Sequence, residues 1–344
     1  MMHWESARKT RKEARESRLT FGIPFLDDAL RGIFKSDTIV VAARSGRGKT
    51  TFMTHLAIHL ASVHNASVHL FALESDVYEI EQRLLYTKTK QLFFKYYETT
   101  KPFRFPRYVD WYAGDHADDL ESLEREAEKQ ISESAGGLHI HYSEERVTIE
   151  DFQNVCDMID DTAKIILVDH LHFFDTTGQS EVMAIQKAIN QLREFTIKKK
   201  IPIVVASHVR KTERAQASLI PTADDLHGHS DIQKQGTTVI MMAPASKELA
   251  SIGDFPTYFY VPKFRKEGSV VSYVGVHTFD ADAGGYSPKY FLANHNHNED
   301  PKLIGDHTKF PDWAKNAVEA PAAITGVPYH YEAYENKFRP KTNR

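Results

Sequence analysis

The run Thr38-Ile39-Val40-Val41-Ala42-Ala43-Arg44-Ser45-Gly46-Arg47-Gly48-Lys49-Thr50-Thr51 decides the reading of this chain. Its first six residues carry no charge and four of them are β-branched. Such a short, continuous apolar run fits a strand buried on both faces. A loop with glycines at 46 and 48 follows, and Met53–Ala61 then reads as a helix. A strand, a glycine-bearing loop and a helix with Lys-Thr at the junction form the pattern of a phosphate loop, with Ala43 in place of the usual first glycine. Gly46 and Gly48 let the backbone curl so that its N–H groups converge on a phosphate. Lys49 can reach the β- and γ-phosphates and the Thr50 hydroxyl can reach Mg²⁺. The helix that starts here adds the positive end of its dipole. Residues 43–51 are therefore the expected nucleotide contacts, and ATP or another NTP with Mg²⁺ is the expected ligand.

Working outward, Val68–Leu73, Leu138–Tyr142, Lys164–Val168, Ile201–Ser207, Val239–Ala243, Tyr258–Lys263 and Val270–Thr278 read as further strands. Val77–Thr87, Ile149–Ile159 and Val182–Lys199 read as the intervening helices. Fully apolar strands alternating with helices predict an α/β fold, a mostly parallel sheet covered on both faces, with antiparallel strands at its C-terminal end. Residues 88–137 interrupt the rhythm with aromatic and basic residues (Phe93, Phe94, Tyr96, Tyr97, Arg104, Trp111) and then an acidic helical stretch, and are expected to be a helical insertion on the core. Residues 1–18 alternate charges at helical spacing and predict a basic, solvated or partner-facing helix. The motor-sized body spans 19–292, and the polar, turn-rich 293–344 is expected to be a loosely structured tail.

Three more residues sit where ligands gather, at the carboxyl ends of parallel strands. Asp169 ends the apolar Ile165–Val168 run and is the expected partner of the metal, through water. Glu74 follows Phe71-Ala-Leu and is the candidate base for an attacking water. His208 ends Ile203–Ser207, where a polar group can touch a γ-phosphate. Each of these residues also has a plain structural reading, as a strand-ending or helix-flanking polar group.

Composition bounds the alternatives. The 344 residues carry a net charge of −4, so nucleic-acid binding has to come from local basic loops, not a global footprint. No stretch of eighteen apolar residues occurs, and the N-terminus lacks the apolar core of a signal peptide, which predicts an intracellular, cytoplasmic protein without a membrane partner. The single cysteine, Cys156, excludes an internal disulfide framework and predicts a small buried apolar residue. His295, His297, Asp300 and His307 lack the regular spacing of a metal site.

The ordered motifs resemble the RecA-like motor domain of the replicative, DnaB-type hexameric helicases, phage helicase–primase motors included. VVAARSGRGKTTF is similar to that family's phosphate loop. FALESD is similar to the motif holding its catalytic glutamate, which falls on Glu74. IILVDHLHFF matches its second acidic motif at Asp169, and IPIVVASHVRK its sensor strand at His208. PTADDLHGHSDIQKQGTTVIMM resembles the segment that begins S-D-L-R-x-S-G, with His227 where the family has arginine. YVPKFRKEG resembles its K-x-R motif, and the resemblance implies that Lys263 and Arg265 reach the ATP site of a neighbouring subunit. Taken alone, those two residues read equally as an exposed basic turn. The resemblance further implies an ATP-hydrolysing DNA helicase, a homo-oligomeric hexameric ring, and single-stranded DNA passing through it. Primase, polymerase or loader partners follow from the same resemblance. Arg210, Lys211 and Arg214, in the loop after the His208 strand, are the expected phosphate contacts. The lack of a preceding helical domain or cysteine-ligated primase module points to a phage or mobile-element replication protein, acting in host cytoplasm. A recombinase or mediator that forms open filaments, or a regulatory ATPase switch, would carry the same core.

Overall fold

The computed structural model describes residues 4–319 apart from 77, 98–103, 134–136, 144, 160–161, 175–179, 210–219, 223–224, 227–231, 233, 245–254, 268–271, 281–284 and 296–300. Helix α1 (Trp4–Glu16) precedes α2 (Pro24–Leu30), β1 (Thr38–Ala43), α3 (Lys49–His64) and β2 (Ser67–Ala72). Helices α4 (Glu79–Tyr97), α5 (Tyr108–Tyr112) and α6 (Ala117–Ser132) lead to β3 (Leu138–Tyr142), α7 (Ile149–Met158) and β4 (Ala163–Asp169). After these come α8 (Glu181–Lys199), β5 (Ile203–His208), β6 (Thr238–Pro244), β7 (Phe255–Phe264) and β8 (Tyr273–Asp280). The chain finishes with β9 (Gly285–Tyr286), β10 (Tyr290–Asn294), β11 (Lys302–Leu303) and β12 (Ala317–Val318).

Among the described residues these strands form one sheet in the order β11-β10-β8-β7-β6-β1-β5-β4-β2-β3. Every pairing from β6 to β3 is parallel, and every pairing from β6 to β11 is antiparallel. The switch follows from the connections: helices return the chain between the parallel strands, whereas the strands from β6 onward succeed one another without a crossover helix. Alternation along β1 divides the core. Ile39, Val41 and Ala43 pack with Phe25, Phe52 and Leu56 of α2 and α3. Val40 and Ala42 pack with Phe152, Ile185, Ile189 and Leu192 of α7 and α8. Both faces are thus covered, which is why the strands carry no polar period. Cys156 is buried on α7, and burial raises its thiol pKa.

Two expectations are corrected. The helix read as Val77–Thr87 runs on to Tyr97 as α4. Leu92 and Phe93 there meet Leu120, Leu123 and Ala127 of α6 and Phe105, so residues 79–132 own a separate small aromatic core. The segment expected as loose tail is also packed over 301–319. β11 pairs with β10 antiparallel and β12 pairs with β10 in parallel. Buried Asp28 on α2 accepts hydrogen bonds from the Tyr290 hydroxyl at 2.9 Å and the Asn316 amide N–H at 2.8 Å. A polar sequence is held here by a buried carboxylate, a kind of anchor that hydropathy does not register. Residues 320–344 lie outside the described residues.

Candidate nucleotide-binding site

Pairing register brings the candidate residues to one edge. Ala43 at the end of β1 faces His208 at the end of β5. Val168 of β4 faces Val205 of β5, and Asp169 faces Ala72 of β2. The Leu73 N–H donates to the Asp169 carbonyl at 2.8 Å and carries Glu74 past the strand end beside Asp169. Lys49, Thr50, Glu74, Asp169 and His208 therefore share the carboxyl edge of the parallel sheet, although the sequence separates them by up to 159 residues.

The loop after β1 has the conformation its sequence predicts. Gly46 and Gly48 take φ of +67° and +85°, the left-handed region where a side chain is strained. A Cβ on either would meet nothing within 4 Å, so both face open space. Gly48 precedes the first turn of α3, and no side chain caps that end. Its N–H groups are therefore left to an outside acceptor, as a phosphate oxygen would be.

Lys49 is 6% exposed and its Nζ donates toward the Ala43 and Arg44 carbonyls, each at 3.4 Å. Nζ also lies 3.1 Å from His208 Nδ1. Burial lowers the Lys49 pKa, and the carboxylates of Asp169 and Glu74 oppose that shift. Asp169 is 2% exposed; burial raises its pKa, while a hydrogen bond from Thr50 lowers it. Its Oδ1 is buried without a hydrogen-bond partner among the described residues. That orphaned oxygen, beside the Thr50 hydroxyl, is a donor set of hard oxygens suited to Mg²⁺, so the residues present fit the ion.

Two histidines were not singled out from sequence. His170 is 2% exposed, and its Nδ1 lies 2.8 Å from Glu74 Oε2, although the imidazole is not aligned for a hydrogen bond. Its ring meets that of His208 edge-on with centroids 4.2 Å apart. His172 Nδ1 accepts the His208 backbone N–H at 3.4 Å. Burial pushes His170 down to about 2 and His208 down to about 4, so both rings are neutral. The signal was available: Asp169-His-Leu-His sets two imidazoles at the end of an otherwise apolar strand.

Lys263 and Arg265 lie elsewhere. The Arg265 N–H donates to the Thr237 carbonyl, and the Thr237 N–H donates to the Thr38 carbonyl. Thr38 begins β1, whereas the phosphate loop leaves from its other end. Five residues of extended strand separate those ends by about 16 Å. Arg265 Nη2 donates to the Lys234 carbonyl at 2.6 Å, and Lys263 Nζ reaches the same oxygen at 3.4 Å. Burial, then Arg265 and Arg193, push the Lys263 ammonium down to about 8. Lys266 next to them pairs with buried Asp37, which also accepts the Phe34 N–H at 2.9 Å. Arg210, Lys211, Arg214 and His227 lie outside the described residues. Val209 and Leu226 do pair as an antiparallel bridge, so the segment carrying the three basic residues leaves from and returns to a point beside His208.

Comparisons with known proteins agree with this arrangement. Over 82% of its length the chain superposes on 96% of a solved helicase ATPase domain of the DnaB-like kind, with TM-score 0.63 at 16% identity. A DnaB-like replicative helicase, solved in a study that also covers its interactions with primase, gives TM-score 0.61 at 16% identity over 83% of this chain and 66% of that one. The fold is RecA-like. Replicative DNA helicase DnaB of Nostoc sp. is 22% identical over 236 residues, 65% of this chain and 24% of the relative. DnaB of Geobacillus stearothermophilus is 38% identical over 64 residues, 19% of this chain and 14% of the relative. The chain thus spans about a quarter or less of the length of these curated relatives. Residues 19–252, more than half of the sequence, match the DnaB-like helicase C-terminal domain, and the chain belongs to that family.

Proposed function

We propose that this chain is the ATP-hydrolysing motor of a ring-forming DNA helicase that translocates on single-stranded DNA during replication, of a phage or mobile-element type. The observation that carries the reading is the separation of two groups of residues. Lys49, Thr50, Glu74 and Asp169 share one edge of the sheet, while Lys263 and Arg265 sit at the other. A subunit's own arginine is about 16 Å of strand away from its phosphate loop. Arg265 can therefore serve only a neighbour's nucleotide, and hydrolysis requires assembly.

Each residue then has a physical task. The backbone N–H groups of residues 44–50 bind the phosphates, and the Lys49 ammonium turns from the carbonyls it now faces to the β- and γ-oxygens. Thr50 directly, and Asp169 through water, would hold Mg²⁺, which when bound neutralises charge on those oxygens. Glu74, half exposed at the rim, orients the attacking water and accepts its proton. Arg265 of one subunit stabilises charge that develops on the phosphoryl group in the next, with Lys263 beside it. His208 shares Lys49 with the nucleotide. Loss of the γ-phosphate returns the ammonium to His208 Nδ1, and the segment anchored at Val209 and Leu226 takes up the change. Arg210, Lys211 and Arg214 on that segment hold DNA phosphates without reading sequence. A primase or loader docks on such a ring.

Steady-state ATP hydrolysis with and without single-stranded DNA, on the native chain and on Arg265→Ala, tests this. DNA-stimulated turnover that Arg265→Ala abolishes, in an oligomer that persists, is the expected result. Turnover indifferent to DNA, or untouched by loss of Arg265, removes the helicase reading in favour of a regulatory ATPase.

A further inference from the structure

Besides the oxygen donors of Thr50 and Asp169, the same edge holds a second donor set of different chemistry. Glu74, His170 and His208 each present one donor atom, and these three atoms lie within 4.8 Å of one another. One carboxylate and two imidazoles are the ligands that borderline-soft divalent ions select, in the three-protein-ligand arrangement that leaves a position open to water. Mg²⁺ prefers oxygen alone, so the two donor sets discriminate between ions. The set is also anchored. His170 is 2% exposed at the end of β4, its ring is packed edge-on against His208 and Phe173, and its Nδ1 already sits 2.8 Å from Glu74 Oε2. His208 is fixed at the end of β5 by pairing with Ala43 and by its N–H to His172. Glu74 is 48% exposed and gives an ion its way in.

We propose that Glu74, His170 and His208 form a site for Zn²⁺, Co²⁺ or Ni²⁺, separate from the Mg²⁺ donors. The adverse neighbour is the Lys49 ammonium, 3.1 Å from His208 Nδ1. Ion and ammonium compete for this imidazole, so removing the lysine charge strengthens metal binding. Where Glu74 and His208 act in hydrolysis as proposed above, an ion held here takes both and stops turnover. That consequence rests on the ATPase reading; the site itself does not.

The test is a Co²⁺ titration of the full, untagged, chelator-stripped chain without nucleotide, followed by the visible ligand-field absorption of bound Co²⁺. One ion per chain is expected, displaced by Zn²⁺ and not by Mg²⁺. His170→Ala and His208→Ala should each weaken binding by more than the ~10–100-fold typical of losing a metal's outer-sphere partner. Lys49→Met should tighten it. His69→Ala, in a separate histidine cluster with His139 and His141, should leave the titration unchanged. Should His170→Ala fail to fold, the half-buried His208→Ala decides. No ligand-field band at stoichiometric Co²⁺, or a band that survives loss of both histidines, overturns the site. Because the readout needs no nucleotide, a chain that binds Co²⁺ and hydrolyses nothing would sink the motor reading and keep this one.

Discussion

At the scale of single residues, the candidate site is a set of charges placed where burial sharpens their interactions. Glu74 keeps solvent access while Asp169 and Lys49 do not, and that difference separates a proton acceptor from groups that bind. Glu74→Gln is expected to keep nucleotide affinity and to lose hydrolysis by about 10²–10⁴-fold, the range for a general base. Equal loss of binding and turnover would instead make Glu74 a binding residue. His277 is a residue-scale determinant of stability. It is fully buried, its Nε2 accepts the Phe25 N–H at 3.2 Å, and its Nδ1 faces the Ser287 carbonyl at 3.1 Å, so the neutral ring is held in one tautomer. Burial pushes its pKa from 6.5 down to about 3. The unfolded chain therefore takes up a proton that the native chain refuses. The contribution of His277 is complete above pH 6.5 and is lost as pH falls toward 3. Urea unfolding at pH 7 and pH 5 should give a stability that falls with acid, by up to ~1.4 kcal/mol per pH unit more than in His277→Gln. Parallel slopes in the two proteins would remove His277 as the cause.

At the scale of elements, two anchors decide what packs. The first is Asp28. It is one of the few buried carboxylates among the described residues, and it ties β10 and the chain before β12 to α2 through Tyr290 and Asn316. Around it Phe25 meets Tyr290 and Trp313 edge-on, with centroids 5.5 and 6.0 Å apart. Asp28→Ala leaves the Tyr290 hydroxyl and the Asn316 N–H without their acceptor, at roughly 1–3 kcal/mol for each buried group. The expected result is a lower denaturant midpoint together with earlier proteolysis within residues 301–319. An unchanged cleavage pattern would mean that ring packing alone holds the segment. The second anchor is the aromatic core between α4 and α6. Hydrophobic period marked the first half of α4 and the acidic α6, but their partnership was invisible until folding set them side by side.

At the scale of the whole molecule, the sheet is a spacer that holds two kinds of chemistry apart. Phosphate-binding groups stand at one edge and Lys263 and Arg265 at the other, so a ring would join each edge to its complement on the next subunit. Mixing Lys49→Ala with Arg265→Ala subunits is therefore expected to restore turnover at the interfaces that pair an intact loop with an intact arginine. Mixtures as inactive as either variant alone would place Arg265 outside the reaction. The sequence by itself determined the phosphate loop, the mostly parallel sheet and the antiparallel strands after it. Those features are local, since an apolar run, a glycine's backbone freedom and a helix start act within a few residues. It also indicated Asp169, Glu74 and His208 one at a time, each as a polar residue ending an apolar strand. Only the tertiary structure decided that His170 stands beside Glu74, that Lys49 reaches His208, that Asp28 holds residues 301–319, and that Arg265 lies a strand's length from its own loop. These depend on strand order and register, which couple residues far apart in the chain, and hydropathy along the chain carries no record of which strand lies beside which.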